Sequence, residues 1–590
     1  MHQLTSARSM PIRFAAGPGW SGPPTLGQRN VLAWIDRQRV ERSDVIWTVF
    51  AAPGPAGLPA VVEAARTLLL RHEGLRTTYT RSADDEPVQH VAGSGEFDVF
   101  VLDDVPESEL PTDLDLDESW KRPFELATDF GFRVGVFTRD GIPVLILMIV
   151  SHVAADFATV QILTREFLEL LAGPGEDPAR APHQPRDQAT RELSPAGRRR
   201  AEASLRHWDT VMRRAPQCMF AVTPDPAGGE QLQAALWSRA AALAMDDIAE
   251  RTRASHSTVL FAAVAALLSH YTGNDSCVLV SLSSNRFGPG GRDYVGTIAQ
   301  DALAHLQMAP TFDEVVHQAG TATMRAYSHA QYEAMRLYEV MGAVEYERGT
   351  RFHRDAVFSD LSVHHGSVTD GLALRAERPA DLGDAMAETE FRFFTTMNRE
   401  VQFQFQLYDL GERATFILLA DTRFMSAEVI EGFLRGVERL LVAAADRVIA
   451  IDELGEITGL PTPVRGEGWI RVDGCWVQPE AVQRLMDELD QVKAARVFVE
   501  DAADGESSLT AYVVPTDPAA SLGDLHLAAV AHLRNRFTAI APQRYVLCAD
   551  LPEDSEDPAA WRRLEPLAEG TGRLAAPPVG RPEEVWCPPQ

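Results

Sequence analysis

Two ionisable residues, His152 and Asp156, lie in a short polar segment between two apolar stretches of the chain. A neutral imidazole could take a proton from a reacting amine or hydroxyl group. The aspartate could orient a neighbouring group, or it could simply accept hydrogen bonds from the first amides of a helix. His-x-x-x-Asp is a weak motif by itself, and a lone histidine at a strand end is more often structural than catalytic. The spacing therefore leaves both interpretations open.

The elements on either side of this segment are strongly patterned. Residues 144–150 are apolar without interruption and predict a central strand that is buried on both faces. After Asp156, apolar residues recur at helical spacing, and Gly173-Pro174 supplies a stop signal. This apolar stripe consists of Phe157, Val160, Leu163, Phe167, Leu170 and Leu171. The sequence thus predicts a buried strand, a polar loop that carries both ionisable residues, and an amphipathic helix.

The rest of the chain mixes helices and strands. Residues 132–138 and 144–150 predict two strands joined across Arg139-Asp140-Gly141, and Asp-Gly is typical of tight hairpin turns. A stretch rich in Gly and Pro over residues 173–188 indicates a loop or hinge between two lobes. A break at residues 461–463 precedes a third, smaller unit of helices and strands.

The charge of the chain argues against binding to nucleic acids. The chain has 590 residues and a formal net charge of −29 at neutral pH. Because contacts to a phosphate backbone need clustered Lys and Arg, this charge argues against a nucleic-acid-binding protein. The dense basic run at residues 198–200 is interpreted as a solvated helix face, with docking of an acidic partner protein as the alternative.

The cysteines and the apolar runs point to a reducing, aqueous compartment. The five cysteines are scattered without Cys-x-x-Cys spacing, which argues against a zinc site and a disulfide framework. Residues 1–20 lack the apolar core of a secretory signal, and the apolar runs are shorter than the ~20 residues that cross a bilayer. The sequence therefore predicts a cytoplasmic protein with no membrane segment and no metal or cofactor bound by the chain itself.

Four stretches, taken in order, carry a family resemblance. They are Gln28-Arg29 with Trp34; Arg71-His72-Glu73-Gly74-Leu75-Arg76-Thr77; Ser151-His152-Val153-Ala154-Ala155-Asp156-Phe157; and Thr272-Gly273-Asn274-Asp275 followed by Arg286 and Val295-Gly296. Together they resemble the condensation domain of nonribosomal peptide synthetases, within the superfamily of His-x-x-x-Asp acyltransferases. The second stretch is nearly identical to the family's Arg-His-Glu-x-Leu-Arg-Thr. The third stands where the family has His-His-x-x-x-Asp-Gly.

The resemblance covers about residues 20–453 and implies a fold. We expect an α/β (α+β) architecture in which two chloramphenicol-acetyltransferase-like lobes form a V, with a substrate tunnel between them. The first lobe is placed at residues 25–180 and the second at residues 181–453, after an N-terminal extension at residues 1–24.

The resemblance also implies a reaction. An acyl group, held as a thioester on the phosphopantetheine arm of a carrier protein, meets an amine, or sometimes an alcohol, in the tunnel. His152 corresponds to the family's central histidine, which takes the amine proton or stabilises the charge of the tetrahedral intermediate. Asp156 corresponds to an aspartate that points away from the tunnel and pairs with an arginine, for which Arg286 is the best candidate.

Two residues that would line the site depart from the family's pattern. Ser151 replaces the first histidine, as in related acyltransferases that keep only His-x-x-x-Asp. Phe157 replaces a glycine that leaves room beside the substrate arm, and its ring either fills that space or turns inward to begin the apolar stripe of the helix. Two hypotheses stay open: an amide-forming condensation enzyme, with an ester as the second choice of product, and an inactive condensation-like scaffold that binds a carrier protein and recruits a tailoring enzyme.

Residues 466–574 resemble the small C-terminal subdomain of an adenylation domain, and residues 575–590 are expected to form a tail. The resemblance rests on residues 474–482 and 509–515. The family's large ATP-binding subdomain is absent, residues 551–558 replace the stretch that carries its catalytic lysine, and Lys493 lies in a different segment. We therefore expect a structural or docking module that does not activate substrates with ATP.

The remaining expectations concern partners. The sequence contains no Gly-Gly-x-Ser setting for a phosphopantetheine-bearing serine, so we expect a free-standing enzyme that receives an acyl- or peptidyl-carrier protein in trans, with a small or carrier-bound amine as acceptor. A second His/Asp segment, His364-His365 with Asp370, has four residues between His365 and Asp370 and is interpreted as a loop.

Overall fold

The computed structural model describes residues 7–37, 45–54, 56–111, 116–173, 183–222, 228–287, 290–362, 382–394, 401–463, 465, 468–501 and 507–573. The chain divides into two compact units. Unit 1 comprises Met1–Ala203, Ser283–Gln300 and Ala330–Met335, and unit 2 comprises Ser204–Leu282, Asp301–His329 and Arg336–Gln590. The segment 364–370 with the second His/Asp spacing lies outside the described residues.

Unit 1 contains a five-stranded sheet of order β1-β6-β7-β8-β3 and a three-stranded sheet of order β2-β5-β4. Its elements are β1 (Arg8–Ala15), β2 (Trp20–Gly22), α1 (Leu26–Arg37), β3 (Val45–Ala51), α2 (Leu58–Arg71), β4 (Thr77–Arg81), β5 (Pro87–Val91), β6 (Ser94–Leu102), β7 (Phe132–Arg139), β8 (Ile142–Ser151), α3 (Phe157–Ala172), α4 (Pro185–Leu193) and the first part of α5 (Pro195–Met212).

Strand β8 is buried on both faces, as its uninterrupted apolar run predicts. On one face, Met148 and Val150 belong to the core cluster that also contains apolar residues of α2 and α3. On the other face, Leu147 and Ile149 belong to a second cluster around Trp120. Because β8 lies between β7 and β3, its end is held in place by hydrogen bonds from both sides.

The hairpin before this strand is confirmed. Arg139 pairs with Ile142 across a two-residue turn, and Asp140 and Gly141 both have positive φ, 51° and 72°. Both central residues of a type I′ turn need positive φ, which asparagine, aspartate and glycine tolerate best. Residues 8–15, in the segment expected to be an N-terminal extension, form β1, a largely exposed edge strand that pairs with β6.

Unit 2 contains a seven-stranded sheet of order β11-β10-β12-β14-β15-β9-β13, a two-stranded sheet β16-β17 and a four-stranded sheet β18-β19-β20-β21. Its elements are the rest of α5, β9 (Gln231–Ser238), α6 (Arg239–Thr252), α7 (His256–Thr272), β10 (Ser276–Ser283), β11 (Gln300–Gln307), α8 (Phe312–Ser328), α9 (Ala334–Arg348), β12 (Ala356–Asp360), α10 (Leu382–Met386), β13 (Glu390–Phe394), β14 (Phe403–Leu410), β15 (Ala414–Asp421), α11 (Ala427–Asp446), α12 (Leu454–Thr458), β16 (Ile470–Val472), β17 (Cys475–Val477), α13 (Pro479–Asp487), β18 (Val492–Asp501), β19 (Ser507–Pro515), α14 (Leu522–Ala531), β20 (Arg544–Cys548), α15 (Pro558–Arg562) and β21 (Pro566–Gly570).

The part of unit 2 from β16 to β21, here named the C-terminal module, has its own hydrophobic core. The sequence pattern predicts a helix over residues 525–537, but α14 ends at Ala531. The chain then turns at Asn535, whose φ of 61° does not continue a helix. This turn brings the backbone carbonyls of Phe537 and Ala539 to the side-chain amide of Gln217, which donates to both at 3.2 and 3.0 Å.

Hydrogen bonds anchor the C-terminal module to the end of α9. Arg348, whose side chain is only 9% exposed, donates to the Asp473 carboxylate at 2.7 Å, the Asp473 carbonyl at 2.8 Å and the Ala215 carbonyl at 2.8 Å. Arg573 donates to the carbonyls of Glu347 and Arg348. Since buried charged groups are costly to leave unpaired, these contacts hold the module against α9.

None of the helices in the described part of the chain combines the length and apolar character needed to cross a lipid bilayer.

We expect Arg348→Ala to lower the free energy of unfolding by about 1–2 kcal/mol, because it removes the largely buried guanidinium that joins Asp473 of the module to the Ala215 carbonyl. Urea denaturation followed by tryptophan fluorescence measures this loss. Arg66→Ala is the matched control, since Arg66 makes an exposed pair with Glu63 within one helix and such pairs contribute about 1 kcal/mol or less. Equal effects of the two variants would contradict an anchored module.

Candidate functional site

The candidate site is the loop between β8 and α3 in unit 1. Ser151 ends the strand, is buried, and accepts backbone hydrogen bonds from Ala154 and Ala155 through its carbonyl at 2.9 and 3.0 Å. Gly131 lies directly against this loop, because a Cβ atom on it would lie 3.1 Å from the Ser151 Cβ and 3.2 Å from the Ala154 Cβ. The loop is therefore a tight turn with little room to change shape.

His152 is partly buried, and its ring orientation is defined by a hydrogen bond within the loop. Its Nδ1 lies 2.8 Å from the backbone carbonyl oxygen of Ala155. A carbonyl can only accept, so Nδ1 carries the hydrogen, and in the neutral ring Nε2 is then the nitrogen with the lone pair. The indole of Trp34 from α1 lies edge-on to the imidazole, with ring centroids 6.3 Å apart and an interplanar angle of 71°.

Asp156 caps α3 and binds a distant segment of unit 1 at the same time. One carboxylate oxygen, Oδ1, accepts from the Thr159 amide at 2.9 Å and from the Arg286 guanidinium at 2.5 Å. The other, Oδ2, accepts from the amides of Ile298 and Ala299, both at 3.1 Å. The structure thus brings Asp156 and Arg286 together, while His152 faces its own loop carbonyl and Trp34.

The electrostatics of Asp156 follow from these contacts. Burial by itself would raise the pKa of this carboxyl group, but the positive charge of Arg286 and the hydrogen bonds from Ile298 and Thr159 outweigh it and lower the pKa overall. Asp156 is therefore a carboxylate at neutral pH. It serves as an anchor for the loop and has no role as a proton donor.

Thr159 is a site residue that the sequence analysis missed. Its hydroxyl donates to the Gly296 carbonyl at 2.9 Å, and its oxygen lies 2.8 Å from Arg286 and 3.1 Å from the Gly296 amide. A signal was present, because Thr159 is a polar residue that follows an N-cap aspartate by three positions. The amides of Ile298 and Ala299 gave no such signal, since a backbone donor has no signature in the side-chain sequence.

Phe157 is the first residue of α3 and is less buried than most of the apolar stripe. The apolar stripe of α3 buries Val160, Leu163 and Phe167 completely, and Leu170 and Leu171 pack against the same cluster. Phe157 is only partly buried and is absent from that cluster. The helical spacing predicted for the stripe is confirmed, and Phe157, at the first turn of the helix, is its partly buried first member.

The Arg-His-Glu stretch at the end of α2 acts as scaffold for α3. Arg71 and His72 both contact the carboxylate of Glu166, at 2.7 and 3.0 Å. Burial opposes ionisation of Glu166, but hydrogen bonds from His72 and Arg71 and their charges lower its pKa to about 2. Val295, from the segment that Asp156 binds, is buried in the same core as α2 and α3. These contacts keep the helix that begins with the site in one position.

The comparisons with known proteins agree with this fold. The family model described as "Condensation domain" matches residues 46–446, well over half of the chain. Tyrocidine synthase 3 from Brevibacillus parabrevis is 26% identical over 283 residues, which cover 47% of this chain and 4% of that protein. The chain thus spans less than a tenth of the length of this curated relative.

Two solved structures are similar in fold. The condensation domain of the Monacolin K polyketide synthase MokA has a TM-score of 0.56 and 16% identity, and the match covers 72% of this chain and 98% of that one. The X-domain in its complex with OxyB from teicoplanin biosynthesis has a TM-score of 0.53 and 19% identity, covering 75% and 96%. The mixed α/β fold is therefore that of condensation-domain structures.

The fold and the family match together define the class. This chain belongs to the condensation-domain family, whose members are acyltransferases.

We expect Asp156→Asn to lower the free energy of unfolding by about 3 kcal/mol at pH 7, because it leaves the buried Arg286 without its counter-charge. Since the folded-state pKa of Asp156 is lowered, its stabilising effect is present above the unfolded value of about 3.9 and is lost as the pH falls through the folded value. The difference between wild type and variant should therefore shrink towards pH 3. Urea denaturation at pH 7 and pH 3 measures this difference, and Asp98→Asn, which changes an exposed aspartate, is the control. A difference in the free energy of unfolding that is the same at both pH values would contradict the prediction.

Proposed function

We propose that the chain forms an amide bond, with an ester as the alternative product, between an acyl group carried as a thioester on a carrier protein and an amine nucleophile. The family membership supports acyl transfer as the class of reaction. The observation that carries the proposal is the hydrogen bond from His152 Nδ1 to the Ala155 carbonyl, since it leaves Nε2 as the basic nitrogen of a ring that is partly accessible.

In the proposed reaction the amine nitrogen attacks the thioester carbon, the C–S bond breaks, and a C–N bond forms. His152 takes the proton from the attacking nitrogen and passes it to the departing thiolate of the phosphopantetheine arm. The same ring, once protonated, stabilises the negative charge of the tetrahedral intermediate. Asp156 and Arg286 would act indirectly, because their hydrogen bonds define the shape of the loop that presents His152.

The proposal takes a carrier protein to be the partner that presents the acyl group, as expected for a member of the condensation-domain family. It also includes the substrate tunnel between two lobes that the family resemblance implies. Phosphopantetheine enters as part of the substrate, and the chain itself is proposed to hold no cofactor.

The C-terminal module is proposed as a remnant of an adenylation subdomain that stabilises unit 2 and does not bind ATP. Its anchoring to α9 through Arg348 and Arg573 supports a fixed structural part. The loop over residues 551–557 supplies carboxylates where an adenylation enzyme would place its catalytic lysine.

A second function, a platform that binds a carrier protein and recruits a tailoring enzyme, is favoured by a different observation. Phe157 stands in the position of the family's glycine, and its side chain is only partly buried. The X-domain, which is similar in fold, was solved in complex with OxyB. If the phenyl ring fills the space that the substrate arm needs, the chain binds the carrier protein but does not transfer the acyl group.

We expect His152→Ala to lower the rate of acyl transfer by at least ~100-fold, the smaller end of the effect of a general base. Intact-mass spectrometry of acyl-loaded carrier protein offered candidate amines measures the loss of the acyl mass and the matching product. His256→Ala is the control, because His256 is a partly exposed histidine paired with Asp246 in unit 2. If wild type and both variants leave the acyl group in place but bind the carrier, the platform is the better account.

Phe157 separates the two functions further. We expect Phe157→Gly and Phe157→Ala to raise kcat/KM about tenfold or more for bulky acyl donors and less for small ones, because either change removes the ring beside the loop. The alanine variant separates loss of the ring from the flexibility of glycine, which costs about 1 kcal/mol at a helical position. An unchanged donor preference in both variants would show that the ring does not border the acyl group.

A further inference from the structure

A surface groove of about 470 Å3 lies in unit 2. Its walls are the second half of α5 and one face of α8, and the end of β11 forms its floor. On α8 the lining residues His317, Thr321 and Arg325 follow one another at intervals of four, so that they share one face of the helix. The volume lies within the ~300–1,000 Å3 of small-molecule sites. No residue of the loop between β8 and α3 lines this groove.

The groove is basic although the chain is strongly acidic. The ionisable residues that line it are Arg214, Arg325, His207, His305 and His317, and no carboxylate is among the described residues of its lining. His329, just beyond the end of α8, stacks on His207 with ring centroids 5.1 Å apart. In a chain with a net charge of −29, a concave surface whose ionisable lining residues are all basic needs an explanation.

Three carboxylates, one each on α5 and α8 and one that acts on the pKa of His305, are bound to other arginines. Asp209 of α5 accepts from Arg213 at 3.0 Å, Asp313 of α8 from Arg251 at 2.9 Å, and Asp275 from Arg471 at 2.7 Å. Within the residues that the structure describes, neither Arg214 nor Arg325 forms an ion pair. Both guanidinium groups are thus available to an anion from solution.

The imidazoles would respond to such an anion. Burial lowers the pKa of His207, and the charges of His329 and Arg325 lower it further, against a hydrogen bond to the Leu303 carbonyl. Burial also lowers the pKa of His305, with Asp275 raising it and Arg214 lowering it. A bound anion would oppose these effects and favour the protonated rings. Binding should therefore be coupled to proton uptake.

The donor set distinguishes between possible ligands. Among the described residues, no three His, Cys, Asp or Glu side chains are arranged to hold a metal ion, so the histidines do not point to a metal site. Two guanidinium groups and several imidazoles offer more donors than the two oxygens of one carboxylate accept. A phosphate group has three strong acceptor oxygens and matches the planar fork of arginine.

We infer that the groove between α5, β11 and α8 binds a phosphate-bearing small molecule, with Arg214 and Arg325 as the principal contacts. The inference is independent of the proposed acyl transfer, since none of the residues proposed for that reaction contributes to the groove. The phosphate could belong to a free metabolite or to the arm of a carrier protein, and the chemistry of recognition is the same.

Isothermal titration with inorganic pyrophosphate tests the inference. We expect saturable binding by wild type that is tighter at pH 6 than at pH 8, and a weakening of about tenfold or more in Arg214→Gln and in Arg325→Gln. Arg213→Gln is the matched control, because it removes the same charge from the neighbouring position but its side chain is bound to Asp209 and Glu347. It should change the affinity less than about twofold. Absence of saturation at about 10 mM pyrophosphate, or equal effects of the three variants, would overturn the inference.

A second titration identifies the source of the phosphate. Adenosine monophosphate is compared with adenosine, and a phosphopantetheine-bearing carrier protein with its unmodified form, in wild type and in Arg325→Gln. Tighter binding of adenosine monophosphate than of adenosine supports a free metabolite as the ligand. Tighter binding of the phosphopantetheine-bearing carrier protein than of its unmodified form supports a carrier arm. If neither phosphate-bearing partner binds better than its counterpart, the groove does not recognise phosphate and the inference fails.

Discussion

The site depends on one buried interaction. The Asp156 carboxylate accepts hydrogen bonds from the segment that contains Arg286, Ile298 and Ala299. A buried carboxylate is stable only when its oxygens are paired, and here four donors do so. Because the same carboxylate caps α3, the interaction joins the start of that helix to a segment more than a hundred residues away. The loop in front of the helix then has one shape, and His152 has one ring orientation.

This arrangement separates two tasks that the short motif combines. Asp156 is an anchor that is charged at neutral pH, whereas His152 keeps a proton-accepting nitrogen on a partly buried ring. The aspartate does not contact the imidazole, so the pair is not a relay of the serine-protease kind. Phe157 follows this loop directly, at the start of α3, and is only partly buried.

In unit 2, the same principle of pairing buried polar groups joins the C-terminal module to α9. Arg348, Arg573 and Gln217 satisfy backbone carbonyls that would otherwise lose their hydrogen bonds to water on burial. The basic groove beside α5 and α8 is the opposite case, since Arg214 and Arg325 line a concave surface and neither forms an ion pair among the described residues. Hydrogen-bonded polar groups therefore connect the module to the rest of unit 2, whereas the two arginines of the groove can bind a ligand.

The sequence by itself determined what depends on local pattern: the buried strand β8, the Asp-Gly turn before it, the amphipathic helix after it, and the His-x-x-x-Asp loop between them. These follow from periodicity and turn chemistry, which act over a few residues. Only the tertiary structure decided which donors Asp156 meets, that Thr159 belongs to the site, that Phe157 is only partly buried, and that basic side chains from three elements share one groove. Backbone amides have no signature in a sequence of side chains, and contacts between distant segments depend on how whole elements pack.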